Sequence, residues 1–503
     1  MSNKLFDAME SVAYTENGAL TYSTSLNHNL DFFALASAKR DDVDDAVKLF
    51  VKAYDENPLL AIKNLFYLRD IRNGQGERAV FRACMQHMAN NEKMTDVLVK
   101  CIRHIPEYGS WKDVFALYTP FSNDKVSKEI CRVTKEQLDA DIKNAIEDKP
   151  ISLCAKWFPL ANNTKNPQKK SVAKSLCASI FVSNVECRKI ISSLRRALNI
   201  CEQHMSANKW ASIDYSKLPS KAGMIHRGAF LKHDKERYEQ FLDDVSQGKK
   251  RINASTIYPY EIVKKYVNDC VYECCYEGSP QTIEKDETLE QLWRNLPDYC
   301  DGKNAICVVD VSGSMLNPML RPMCTAVSLG IYFAERNNSA FKGKYITFSE
   351  SPAIQSIDKD ASLLDNVKKV MHSNWGMNTG ILRVFDLILD SAVSADLKQS
   401  DMPETVYIIS DMEFDEACDI KKTTFVNIKT KYKKAGYKCP QLVFWNVASR
   451  NDNVPVRKHT SGTTLVSGLS PIVFKYAVEG KNPEEFMMEV LSSTRYERLN
   501  MCV

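Results

Sequence analysis

The chain has 503 residues, room for two or more domains, and 44% of them are hydrophobic against 26% charged, a balance that supplies packed cores and excludes a disordered majority. No apolar run approaches twenty residues and Met1 to Glu10 has no signal-peptide pattern, so the expectation is a soluble cytoplasmic protein with its 16 cysteines reduced, neither exported nor membrane-bound. The net charge of +4 says little by itself, but residues 151–200 carry nine Lys or Arg and a single acid, Glu186, so the basic character is local.

The first forty residues, including Thr15-Glu-Asn-Gly-Ala19, are expected to pack back onto either half of the chain. From about Asp41 to Trp293 apolar residues recur at three- and four-residue spacing. Examples are Leu59-Leu60-Ile62-Leu65-Phe66-Leu68, Val80-Phe81-Cys84-Met88 and Val97-Leu98-Cys101-Ile102-Ile105, each a helical pattern. Breaks fall at Asn73-Gly-Gln-Gly76, Ile105-Pro106, Asn123-Asp124, Lys149-Pro150, Asn184 and Leu218-Pro219. Successive helices with short connectors predict an all-helical, HEAT-like solenoid over residues 41–296, although no strict sequence period exists.

Within this half, Lys156, Lys165, Lys169, Lys170, Lys174, Arg188, Lys189, Arg195 and Arg196 form the main basic cluster, with Trp157 beside it. Arg188 and Arg195, like Lys189 and Arg196, recur at sevens, which predicts one side of the helix after Asn184. Lys249, Lys250 and Arg251 form a second, loop-borne group. Such runs are most often solvated helix faces; the functional alternative is phosphate contact, with aromatic faces for base stacking. Arg69, Arg72, Arg78 and Lys112 are instead candidates for structural pairing with Asp70, Glu77 or Asp113. Cys84-x2-His87 and Cys101-x2-His104 have zinc-like spacing, but both cysteines fall on apolar helix stripes, so core cysteines are expected.

After Pro297 the texture changes to strand–helix alternation. Strands read at Ala305–Val309, Tyr345–Phe348, Val406–Ile409, Leu442–Trp445 and Thr464–Val466. Helices read at about Pro322–Glu335, Leu363–Met371, Ile381–Ala392, Lys421–Lys434 and Pro471–Val478. This predicts a doubly wound α/β domain over residues 297–503. The first of its strands, Ala305-Ile-Cys-Val-Val309, runs into Asp310-Val-Ser-Gly-Ser-Met315. Asp310, Ser312 and Ser314 offer hard oxygen donors at the carboxyl end of a buried strand, which suits Mg2+ better than zinc or copper. A serine capping a helix would give the same string. The acids of Asp411-x-Glu413-x-Asp415 read as solvated loop residues.

The string from Asp310 to Ser314 resembles the DxSxS signature of von Willebrand factor A domains, whose metal-ion-dependent adhesion site holds a cation. That resemblance implies a Thr on a later loop, met by Trp375-Gly-Met-Asn-Thr379, and an Asp after the next strand, met by Ser410-Asp411. It thereby implies Asp310, Ser312, Ser314, Thr379 and Asp411 as ligands of Mg2+ or another hard divalent cation, with a sixth position open to an acid from a partner protein.

A helical-repeat half followed by an A-type half resembles Ro60-type proteins, which pair a TROVE domain with a von Willebrand A domain. More closely, the chain resembles the DUF2828 family. The blocks carrying this are Leu68-Arg-Asp-Ile-Arg-Asn-Gly-Gln-Gly-Glu-Arg78, Ile105-Pro-Glu-Tyr-Gly-Ser-Trp-Lys-Asp113, Cys154-Ala-Lys-Trp-Phe-Pro159, Ile213-Asp-Tyr-Ser-Lys-Leu-Pro-Ser220, Ser410-Asp-Met-Glu-Phe-Asp415 and Leu442-Val-Phe-Trp-Asn446. The Ro60 resemblance implies that small structured RNA or RNA ends bind the basic helical surface. No G-x-x-x-x-G-K-[ST] loop or G-x-S-x-G elbow occurs. A haloacid-type phosphatase would need an Asp where Ser312 stands, and a hydroxyl cannot do that proton work. The expectation is therefore a non-enzymatic RNA-binding protein. The alternative is a metal-dependent protein-interaction scaffold without an RNA role, and more remotely a Mg2+-dependent phosphohydrolase.

Overall fold

The structure is a computed structural model and describes residues 11–121, 124–275, 283–300, 303–316, 320–348, 352–373, 380–414, 424–476 and 480–503. Helices dominate up to Arg294, and their starts follow from local chemistry. Asn57, Asn91, Asp124, Asn166 and Ser183 each accept a backbone N–H of the first turn with a side-chain oxygen, answering donors that the helix itself leaves open. The Asn73–Gly76 break is a tight turn that only glycine permits. A Cβ on Gly74 would lie 2.1 Å from the Tyr67 carbonyl, and one on Gly76, at φ +64°, 1.8 Å from the Tyr258 hydroxyl. Ile105-Pro106 is not a break. A 3-10 turn, Ile102–His104, runs into helix Ile105–Tyr108, because proline in a first turn lacks only an N–H that has no helical partner there.

The acids of these turns are paired, but not always as expected. Asp113 accepts from Arg69 at 2.8 Å and from Arg82 at 2.7 Å. Asp70 instead pairs with Arg495 near the C-terminus, and Glu77 with Arg40. Arg72 donates to the Glu107 carbonyl. Arg78 and Lys112 are exposed and pair with no carboxylate among the described residues, against the expectation for them.

The α/β half contains a six-stranded sheet. Strands β1 (Val12–Tyr14) and β2 (Leu20–Tyr22) form a separate hairpin. The sheet comprises β3 (Ala305–Asp310), β4 (Lys344–Phe348), β5 (Ile354–Ser356), β6 (Thr405–Ser410), β7 (Gln441–Asn446) and β8 (Thr463–Ser467). Its order is β5-β4-β3-β6-β7-β8, parallel throughout except for β5, which runs antiparallel on the edge. Numbered within the sheet this is 3-2-1-4-5-6, the doubly wound order, with the strand order reversing between β3 and β6. β3, β6, β7 and β8 are buried along their whole length, which is why the middles of β3, β6 and β7 read as apolar runs. Helices Arg321–Arg336, Leu363–Met371, Ile381–Ser394 and Thr424–Lys434 lie between strands.

Two differences from the sequence reading have physical causes. β5 is three residues on an edge, too short to carry a pattern. The helix expected from Pro471 is a 3-10 turn, Pro471–Lys475. Its Phe474 is wedged among the rings of Tyr332, Phe333, Tyr407 and Trp445, so packing decides the backbone there.

The halves share one core. A continuous apolar cluster runs from Leu30 through the helices to the sheet, and helix Pro259–Cys275 packs on helices Arg321–Arg336 and Leu363–Met371. A small second core gathers around Tyr215, Phe230, Tyr238 and Phe241. The β1–β2 hairpin packs at the carboxyl ends of the sheet strands. Tyr22 pairs with Val454, and Thr15 Oγ1 donates to the Phe414 carbonyl at 2.6 Å.

Candidate metal centre and basic surface

Open α/β sheets place ligands where the strand order reverses, outside the carboxyl ends, and here that crevice lies between β3 and β6. Asp310 ends β3, Ser410 ends β6 and Asp411 follows. Asp310 is fully buried. Its Oδ1 accepts the Ser312 N–H at 2.9 Å, and its Oδ2 accepts the Ser410 hydroxyl at 2.6 Å. The Ser312 and Ser314 hydroxyls lie 3.0 Å apart. Burial first, and the charge of Asp411 second, push the Asp310 carboxyl up to about 7. A dication at this rim would oppose both effects. Two carboxylates and two hydroxyls, all hard oxygens, are a donor set that fits Mg2+.

The cation already at this rim is Arg450, on the loop after β7. Its Nη2 lies 2.6 Å from Asp411 Oδ2, and its Nη1 lies 3.3 Å from Glu16 of the hairpin. Glu413 is buried, not solvated as expected. Its Oε2 accepts the Glu16 N–H at 2.7 Å, and its Oε1 accepts Asn451 Nδ2 at 3.1 Å. Glu413 thereby ties the hairpin and the loop after β7 to the rim. Thr379 and Asp415 lie outside the described residues. Sequence reasoning missed Ser410, although it directly precedes Asp411. It also missed Arg450 and Glu16, which no spacing connects to the motif.

The basic residues divide into three groups. Lys165, Lys169, Lys170, Lys174, Arg188, Lys189 and Arg196 are exposed on or beside helices Pro167–Ile180 and Asn184–Ala197, and none pairs with a carboxylate among the described residues. Arg195 does not belong with them. It is half-buried and donates to the carbonyls of Ala155 and Phe158, both at 2.8 Å, so it is a structural tie between helix and loop. Lys156 is likewise half-buried and pairs with Glu202 at 3.1 Å. Lys249, Lys250 and Arg251 are exposed, with Lys250 held by Asp244 at 2.9 Å. Lys112 sits 3.6 Å over the Trp157 ring, an aromatic–cation pairing that sequence distance concealed.

Comparison with known proteins agrees with the two-part organisation. The domain of unknown function DUF2828 matches residues 15–145 and 126–299, and a second domain of unknown function, DUF7788, matches residues 304–499. An uncharacterised protein of Acanthamoeba polyphaga mimivirus is 31% identical over 518 residues, covering 96% of this chain and 88% of that protein. Among solved structures, the crystal structure of the Deinococcus radiodurans Ro (RSR) protein is similar at 14% identity and a TM-score of 0.37, over 88% of this chain and 92% of that one. With one family model spanning more than half of its length and a full-length relative beside it, the chain belongs to the DUF2828 family.

Proposed function

We propose that this chain is a non-enzymatic RNA-binding protein whose helical half contacts RNA and whose sheet half holds Mg2+ at the β3–β6 rim. The observation that carries the RNA reading is the set of seven exposed cations from Lys165 to Arg196 with no acid partner among the described residues. Unpaired Lys and Arg on neighbouring helices release counterions when they meet phosphates, and they do so without base specificity. Trp157, flanked by Lys112 and Lys156, adds a face on which an unpaired base stacks.

Bound Mg2+ would supply an electrophilic position for an acidic oxygen of a partner. Asp310, Asp411, Ser312 and Ser314 would hold it, with Ser410 keeping Asp310 oriented and Arg450 giving up Asp411. No described helix is long and apolar enough to cross a membrane, and a cytoplasmic location is part of this reading.

The test is a binding titration of labelled hairpin and single-stranded RNA against the full chain, with and without chelator. Affinity is expected to fall steeply between about 50 and about 200 mM salt and to survive chelation. Absent binding, or binding indifferent to salt, rejects the RNA role. The rim itself favours a second reading, a metal-dependent protein-interaction scaffold. In that case capture of an acidic protein depends on Mg2+ and RNA binds nowhere.

A further inference from the structure

The fold joins three metal-ligating residues that no sequence spacing groups. Cys201 and Glu202 open helix Cys201–Ser206, and His226 lies in helix Ser220–His233. One ligand atom from each lies within 4.8 Å of the other two. The two oxygens of Glu202 are already divided. Oε1 accepts Lys156 Nζ at 3.1 Å, and Oε2 accepts the Cys201 thiol at 3.4 Å. Cys201 is buried on the edge of the small second core. Glu202 also borders a cavity of about 590 Å³ that it shares with Trp157, Gln203 and Ser206, which gives solvent and ions a route in.

We propose that Cys201, Glu202 and His226 form an open zinc site. The thiolate, the imidazole and Glu202 Oε2 are its three protein ligands, and water from the cavity takes the fourth position. Three such ligands plus water is the composition of an accessible zinc site, and a sulfur–nitrogen set selects zinc over magnesium. On binding, the Cys201 S–H bond breaks, its proton passes to solvent, and the sulfur lone pair bonds the metal. Lys156 stays on Oε1 and orients the carboxylate, as an outer partner does in such sites. The site is separate from the Asp310 rim and depends on neither the RNA nor the Mg2+ reading. It also differs from the Cys-x2-His pairs, whose Cys84 and Cys101 are fully buried in the main core.

The experiment is a titration of the chelator-treated full chain with Co2+, followed by Zn2+. One equivalent of Co2+ is expected to give a thiolate-to-cobalt charge-transfer band, displaced by one equivalent of Zn2+ and unmoved by excess Mg2+. Cys201→Ser should abolish the band, while Cys84→Ser leaves it intact. His226→Asn and Glu202→Gln should each weaken Zn2+ by at least tenfold. Circular dichroism checks the fold of each variant. A folded chain with no such band, or a band equal in Cys201→Ser and the natural chain, overturns the proposal. Should Cys201→Ser not fold, unchanged Zn2+ affinity in both His226→Asn and Glu202→Gln overturns it instead.

Discussion

The acidic rim of the sheet and the basic face of the helices are built in opposite ways. At the rim Asp310, Asp411 and Glu413 are buried and answered from within the protein: Asp310 by Ser312 and Ser410, Asp411 by Arg450, Glu413 by the hairpin and Asn451. On helices Pro167–Ile180 and Asn184–Ala197 the cations stand in water with no acid among the described residues. Buried charge is costly unless its partners are fixed, so the rim should respond to substitution in an all-or-none manner. Exposed charge acts at a distance and is screened by salt, so the basic face should respond in graded steps.

Asp113 and Arg195 show that the first kind of construction also occurs inside the helical half, and they give the largest expected effects. Asp113→Ala strands Arg69 and Arg82, and should cost about 3–5 kcal/mol in urea unfolding. Arg195→Gln removes two charge-assisted bonds to carbonyls and should cost about 2–3 kcal/mol while RNA affinity hardly moves. The triple reversal of Arg188, Lys189 and Arg196 to Glu should do the converse. Affinity should drop at least tenfold, about 1.4 kcal/mol, with a shallower salt slope and an unchanged melting curve. Equal behaviour of Arg195→Gln and the triple reversal would erase the distinction between the two constructions.

Two smaller effects sharpen the contrast. Arg450→Gln removes the internal cation at Asp411 and should tighten Mg2+ severalfold by calorimetry, while exposing residues 11–22 to hydrogen exchange. The smallest effect concerns Glu335, which links the halves by accepting Trp293 Nε1 at 2.7 Å. Burial raises its pKa, so its contribution is fully present below the ordinary glutamate range and is lost as pH rises through the raised value. Glu335→Gln should therefore stabilise the chain slightly near pH 8 and change nothing near pH 4, read from paired unfolding curves.

What could be read in the sequence follows the same divide. Strands β3, β6 and β7 were legible because burial on both faces leaves apolar runs; Asp310 was legible because it sits at a strand end, and Asp411 through the resemblance that asks for an acid after the next strand. Arg450 and Glu16 were not, since hairpin and β7 loop meet the rim only through the tertiary fold. The seven-residue spacing assigned Arg195 to the wrong group. Seven residues turn a straight helix about 20° short of two full turns, which rotates Arg195 toward the buried stripe of Ile191 and Leu194. Cys201, Glu202 and His226 were invisible for the reason the rim acids were not: no strand end or spacing marks them.

Anomalous diffraction from crystals grown with Mn2+ tests the metal reading at the rim most directly. The reading predicts a peak about 2.1 Å from oxygens of Ser312 and Ser314, with the Asp310 and Asp411 carboxylates beside it and Arg450 turned away from Asp411. Arg450 still seated on Asp411 with no peak at the rim, at Mn2+ concentrations that fill a hard-oxygen site, would contradict it.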